Sequence, residues 1–143
     1  STLIVVSADH GEEFGDHGLY GHKLNLYEES MRIPLFMRLP GTIPANYVIR
    51  GTTSIVDIAP TVLDLADVPG SDAMWGRSLE SVFLDNQELR ERPAPMELTV
   101  RNETLYRGAR GMEGAKDFKV IEIADQSPEA VKADPKNLDD IPY

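Results

Sequence analysis

The sequence contains no cysteine, so disulfides are excluded and the redox compartment leaves no trace in it. It also lacks any stretch approaching the roughly 20 apolar residues that cross a bilayer. No signal peptide is visible, because the opening run Thr2-Leu3-Ile4-Val5-Val6 has no basic segment ahead of it. Basic residues are scarce, 14 against 24 acidic, for a formal net charge of -10. Phosphate backbones need a basic footprint, so this balance argues against nucleic acid as a partner. An anionic substrate would have to be attracted locally, by a metal ion or a few placed cations, against the mean field of the protein. What remains is 143 residues, 41% hydrophobic and 27% charged, enough for one domain with a core or for a large piece of a bigger one.

Residues Leu3 to Val6 are apolar on both faces, the pattern of a buried parallel strand. Polar residues begin abruptly at Ser7-Ala8-Asp9-His10-Gly11, and in open α/β sheets ligands bind at this C-terminal end of a strand. Gly11 to Lys23 is too glycine-rich for a helix and reads as a polar loop. A short helix fits Leu24 to Met31, and a second strand fits Pro34 to Leu39. Tyr47 to Ser54 reads as extended. Asp57 is the expected cap of a helix with Pro60 in its first turn, whose face Ile58, Val62, Leu65 and Ala66 should pack on the sheet. Ser78 should cap a shorter helix ending at Leu84, with Leu79, Val82 and Phe83 inside.

A boundary is expected near Pro93-Ala94-Pro95, dividing residues 1–93 from a small α+β subdomain, 94–143. Strand candidates there are Met96 to Val100, Leu105 to Arg110 and Phe118 to Ile123, the last two a hairpin turning through Gly111 to Lys116. The tail from Ala124 is acidic and holds at most a short helix.

All three histidines fall within 13 residues, from His10 to His22, on that glycine-rich loop beside several carboxylates. Asp9 and His10 offer one hard oxygen and one borderline nitrogen at a strand end. Two ligands alone make no useful metal site, so a metal bound here must recruit others from elsewhere. The plain alternatives are a polar strand-end cap for Asp9 and His10, a solvated lysine for Lys23, and local hydrogen bonding for His17 and His22. Glu28 and Glu29 read as helix-surface or supporting residues. Glu12, Glu13 and Asp16 read as a solvated loop face, and Trp75 and the methionines as packing residues.

Ser7-Ala8-Asp9-His10-Gly11-Glu12, then Gly21-His22-Lys23, then Tyr27-Glu28-Glu29-Ser30-Met31-Arg32-Ile33-Pro34 resembles the sulfatase family of the alkaline-phosphatase superfamily. Ser54-Ile55-Val56-Asp57-Ile58-Ala59-Pro60-Thr61 followed by Gly76-Arg77-Ser78-Leu79 is similar as well. Three blocks in order between Leu3 and Phe83 make a specific signal. Beyond Met96 the likeness thins to Asp134-Pro135 and Asn137-Leu138, where the family has a four-stranded sheet and a tail motif.

The resemblance implies an α/β/α sandwich around a mainly parallel sheet, followed by a small subdomain with an antiparallel sheet. It implies that Asp9 and His10 are metal ligands, usually for calcium, and that Lys23 grips a sulfate oxygen. His22 competes for the role of Lys23, and His17 is an additional substrate or metal contact. Sulfate ester cleavage develops charge on the sulfuryl and leaving oxygens, which a metal and a cation neutralise. The family nucleophile, a formylglycine made from the first residue of a C/S-x-P-x-R motif, has no counterpart here: no serine is followed by the required proline and arginine. The expected partners are a small-molecule or glycan sulfate ester and an N-terminal half of the same protein. Many relatives are exported. Two other readings stand beside this one: a phosphonate or phosphodiester hydrolase using manganese or zinc, which the extra histidines favour, and a non-catalytic module that binds a sulfated ligand.

Overall fold

The computed structural model describes residues 2–85, 87–100, 103–113 and 116–123. The expected tail helix and the echoes at Asp134-Pro135 and Asn137-Leu138 lie outside the described residues. The chain groups into two compact units. The first comprises Met37–Ala94 with short contributions from Ser1–Val5 and Gly111–Phe118. The second joins Val6–Phe36 to Pro95–Arg110 and the described residues from Lys119 onward.

Strand β1 (Ile4–Ser7) pairs with β4 (Leu35–Arg38) in a two-stranded sheet. The apolar run is a strand as its β-branched residues require, but it is not buried. Ile4, Val6 and Phe36 are exposed, while the alternate residues Leu3, Val5, Leu35 and Met37 are half-buried. Within the loop that follows, β2 (Glu13–Phe14) and β3 (Tyr20–Gly21) form a small antiparallel ladder, with Phe14 opposite Tyr20 and Glu13 opposite Gly21. Glycine is needed at its turn: Gly15 has φ +104, and a Cβ there would meet the Tyr20 hydroxyl at 2.8 Å. Helix α1 (Glu28–Met31) is a single turn and begins at Glu28 rather than at the expected Leu24. The Asn25 side chain prepares its start by accepting the Tyr27 N–H at 2.8 Å, and Pro34 turns the chain out of helical space just after it.

In the first unit, a 3-10 turn (Ile55–Asp57) runs into α2 (Ile58–Leu65). Asp57 is not a simple cap, because its own backbone is already helical. Its carboxylate instead reaches back to the Ser54 N–H at 3.0 Å. Helix α2 packs against α3 (Glu80–Leu84) rather than on a sheet. Its buried member is Thr61, while Ile58, Val62 and Leu65 are half-buried and Ala66 is exposed. The helix ends where Asp67 turns left-handed at φ 54 and Val68 N–H closes onto Leu63 O at 2.9 Å, followed by Pro69. Helix α3 buries Val82 and Phe83 as its spacing predicts, but the cap position is the buried Leu79 rather than the expected Ser78, whose hydroxyl accepts the Glu80 N–H at 3.1 Å. Tyr47 closes over it, donating to Val82 O at 3.0 Å and meeting the Phe83 ring edge-on. Tyr47 to Ser54 forms no strand. Trp75 is 87% exposed and packs nothing.

The C-terminal strands β5 (Ala94–Val100), β6 (Glu103–Glu113) and β7 (Lys116–Ile123) lie side by side in that order. Links of two residues permit only antiparallel neighbours. Of the expected turn from Gly111 to Lys116, Gly111 to Glu113 belong to β6 and Lys116 to β7. Gly111 lies within β6, where a Cβ would meet the Phe118 ring at 2.9 Å.

In the second unit Glu28 draws together three cations: Arg110 Nη2 at 3.1 Å, Lys119 Nζ at 3.5 Å and Arg32 Nε at 4.0 Å. Burial pushes the Lys119 ammonium below its ordinary pKa of 10.5, and the Glu28 carboxylate only partly offsets it. The folded state then holds this proton less tightly than the unfolded chain. The resulting penalty is complete below the folded pKa and is relieved as pH rises through it towards 10.5. Lys119→Met should therefore lose the part of the stability gain between neutral and alkaline pH that wild type owes to this group, as read from urea midpoints at several pH values.

Candidate active site

Two anchors fix the exit of β1. The Ser7 hydroxyl donates to Pro34 O at 2.9 Å, and the Gly11 N–H donates to Ser30 O at 2.8 Å. A Cβ on Gly11 would sit 1.8 Å from Glu29 O, so only glycine lets this segment lie against α1. Asp9 and His10 stand between the anchors. The Asp9 side chain is 90% exposed, and its Oδ1 accepts the His10 backbone N–H at 3.1 Å. His10 Nδ1 lies 2.8 Å from Gly11 O. A carbonyl can only accept, so Nδ1 carries the proton, which in the neutral ring leaves the lone pair on Nε2. That Nε2 is 3.8 Å from Asp9 Oδ2. One imidazole nitrogen and one solvent-facing carboxylate oxygen at this spacing fit one edge of a divalent cation's coordination sphere.

The β2–β3 ladder folds the loop back on itself, so His22 returns beside His10. The two rings stack with centroids 3.8 Å apart and planes 5° apart. Lys23 follows directly and is half-buried, with its carbonyl accepting the Asn25 N–H at 3.0 Å. Asp9, His10 and His22 thus come together, with Lys23 next in the chain.

His17 has different company. Its ring stacks on Tyr27 at 3.9 Å, and Nδ1 lies 3.5 Å from Glu29 Oε2 and 4.0 Å from Glu13 Oε2. Glu12 and Asp16 are exposed, as expected of a loop face, but Glu13 is 0% exposed and overturns that reading for itself. The period-2 alternation of β2 turns Glu13 inward and Phe14 outward, the reverse of what residue type suggests. The inward carboxylate is stabilised by the Asn25 amide at 3.0 Å and the Ser30 hydroxyl at 3.4 Å.

The third sequence block is structural. Asp57 accepts the Arg77 N–H at 2.9 Å and pairs with the Arg92 guanidinium. The Thr61 hydroxyl donates to Asp57 O at 2.6 Å and accepts the Leu79 N–H at 3.0 Å. Gly76 fits because a Cβ would lie 1.8 Å from Val56 O.

Comparison with known proteins agrees with the resemblance read from the sequence. The chain belongs to the family N-sulphoglucosamine sulphohydrolase, C-terminal, whose model matches residues 15–140. It is 32% identical to an N-acetylglucosamine-6-O-sulfatase of Bacteroides thetaiotaomicron, over 99% of this chain and 26% of that protein. Among solved structures it resembles BT4656 in complex with its substrate D-glucosamine-2-N,6-O-disulfate, with TM-score 0.59 and 26% identity, covering 95% of this chain and 29% of that one. A phosphonate monoester hydrolase from Silicibacter pomeroyi shares the fold, with TM-score 0.59 and 24% identity over 96% of this chain and 32% of that one. The chain therefore carries part of the fold of sulfatases and phosphonate hydrolases of the alkaline-phosphatase type. The chain spans 8% to 26% of the length of eight curated relatives it matches. Among the described residues, no helix is long and apolar enough to cross a membrane.

Proposed function

We propose that this chain forms one wall of the active site of an enzyme that hydrolyses sulfate esters, with sulfated amino sugars as the favoured substrate class. The observation that carries the reading is the meeting of Asp9, His10 and His22 at the exit of β1, with His10 Nε2 turned towards the Asp9 carboxylate. Asp9 and His10 would hold a divalent cation, calcium by family precedent, and this cation would neutralise charge on the sulfuryl oxygens. Lys23 and His22 orient the sulfate and offset the charge that develops on it. His17 supports the loop that carries them. The nucleophile comes from a segment outside this sequence, which has no C/S-x-P-x-R motif. The exposed apolar residues Ile4, Val6 and Phe36 suit strands of a larger, mainly parallel sheet within an α/β/α sandwich. An exported location, as in many sulfatases, fits this reading.

The test is turnover of an aryl sulfate, a glucosamine 6-sulfate, a phosphodiester and a phosphonate monoester by the protein with its upstream segment. Sulfate esters should be the best substrates, and the 143-residue chain alone should turn over none of them. Preference for phosphorus esters with manganese or zinc would replace the reading with a phosphonate or phosphodiester hydrolase. Binding of sulfated sugar without turnover would make the chain part of a non-catalytic module.

A further inference from the structure

Glu13, His17 and Glu29 present three ligand atoms that all lie within 4.8 Å of one another. We propose that they bind a first-row divalent transition ion, zinc or manganese, as a structural site additional to the cation assigned above to Asp9 and His10. Two observations carry this. The first is spacing. His17 Nδ1 stands 3.5 Å from Glu29 Oε2 and 4.0 Å from Glu13 Oε2. Both gaps exceed the 2.7 to 3.2 Å, approximately, of an N–H···O hydrogen bond, so a proton on His17 satisfies neither carboxylate. Ligands about 2.1 Å from a shared tetrahedral ion stand roughly 3.4 Å apart, which these atoms reach with small shifts.

The second observation is the unmet need of the oxygens. Glu13 is wholly buried, and its Oε1 takes the two available donors, Asn25 and Ser30. Its Oε2 and that of Glu29 are both buried without a hydrogen-bond partner among the described residues. Such oxygens are costly unless a cation or donor meets them. Arg110, Lys119 and Arg32 are engaged by Glu28, and Lys119 influences Glu29 only through space.

The supporting groups are also in place. Tyr27 holds the His17 ring by stacking. Asn25 ties the system together, giving its amide to Glu13 and its carbonyl to the Tyr27 N–H. One imidazole and two carboxylates suit zinc, manganese or ferrous iron better than calcium, which takes about 6–8 oxygens. His17 is 44% exposed, so water can complete the sphere from the open side. An ion here would tie β2 and its turn to α1 and so fix the loop that delivers His22 and Lys23.

The test is zinc binding to the metal-stripped protein, followed by calorimetry and by the ring resonances of His17. One zinc should bind in the Asp9→Asn/His10→Gln double variant and shift those resonances at the first equivalent. His17→Gln and Glu29→Gln should each weaken it by at least about 100-fold, since even outer-shell partners cost up to that much. Binding lost in the Asp9/His10 variant but untouched by His17→Gln would overturn the proposal. Unmoved His17 resonances of the wild-type protein in excess zinc would overturn it as well, independently of how the variants fold. Neither measurement uses turnover, so failure of the sulfatase reading would register separately.

Discussion

Asp9→Asn in the protein with its upstream segment is expected to lower kcat/KM for sulfate esters by about 100- to 1,000-fold, the usual loss when a charge-stabilising element is removed. Melting should be unchanged. The side chain is 90% exposed and packs against nothing, and its one hydrogen bond, from the His10 N–H, survives in the amide. What the substitution removes is the negative charge beside His10 Nε2, which the cation would need. Parallel measurement of kcat/KM and of the melting midpoint separates this from a folding defect. Unimpaired turnover would remove Asp9 from the site, and with it the main support for the catalytic reading.

The largest expected effect on stability is at Asp57. This carboxylate is 0% exposed and accepts from the Ser54 N–H, the Arg77 N–H and the Arg92 guanidinium. Asp57→Ala would strand two backbone donors and a guanidinium at once. Truncating one member of a buried pair costs about 3–5 kcal/mol. Arg92 is 37% exposed and can turn partly to water, which places the cost near the lower end. A loss of about 3 kcal/mol corresponds to a fall of roughly 10 °C in Tm for a domain of this size. Asp57→Asn keeps one oxygen acceptor and should lose less. A midpoint unmoved by Asp57→Ala would mean that these hydrogen bonds contribute nothing net to the fold.

Much of this organisation was legible in the residues. The β-branched run at the start, the polar break at Ser7, the buried side of α3 and the short helix before Pro34 all follow from spacing and residue type. The pairing of Asp9 with His10 and the return of His22 were legible only as proximity in sequence. The stacking of the two rings depends on a two-residue ladder, too short to leave a periodic signal. Glu13 was misread for the same reason: in so short a strand, residue type outweighs alternation, and Phe14 looks like the inward member. Asp57 was read as a cap because its many partners lie 20 and 35 residues further along the chain. Trp75 was taken as core on hydrophobicity alone, whereas the close approach of Gly76 to Val56 leaves its neighbour facing outward.

The latch between Asp57 and Arg77, reinforced by Thr61 and Leu79, also frees the stretch between them. Both ends of residues 67–75 are clamped before the intervening chain contributes anything, and Val68, Met74 and Trp75 all face water. Lengthening such a loop is cheap, about 0.6 kcal/mol for each doubling. Insertions, deletions and changes of chemistry can accumulate there without loosening the hold of Asp57 on Arg77, so the protein can alter this surface while α2 and α3 stay fixed.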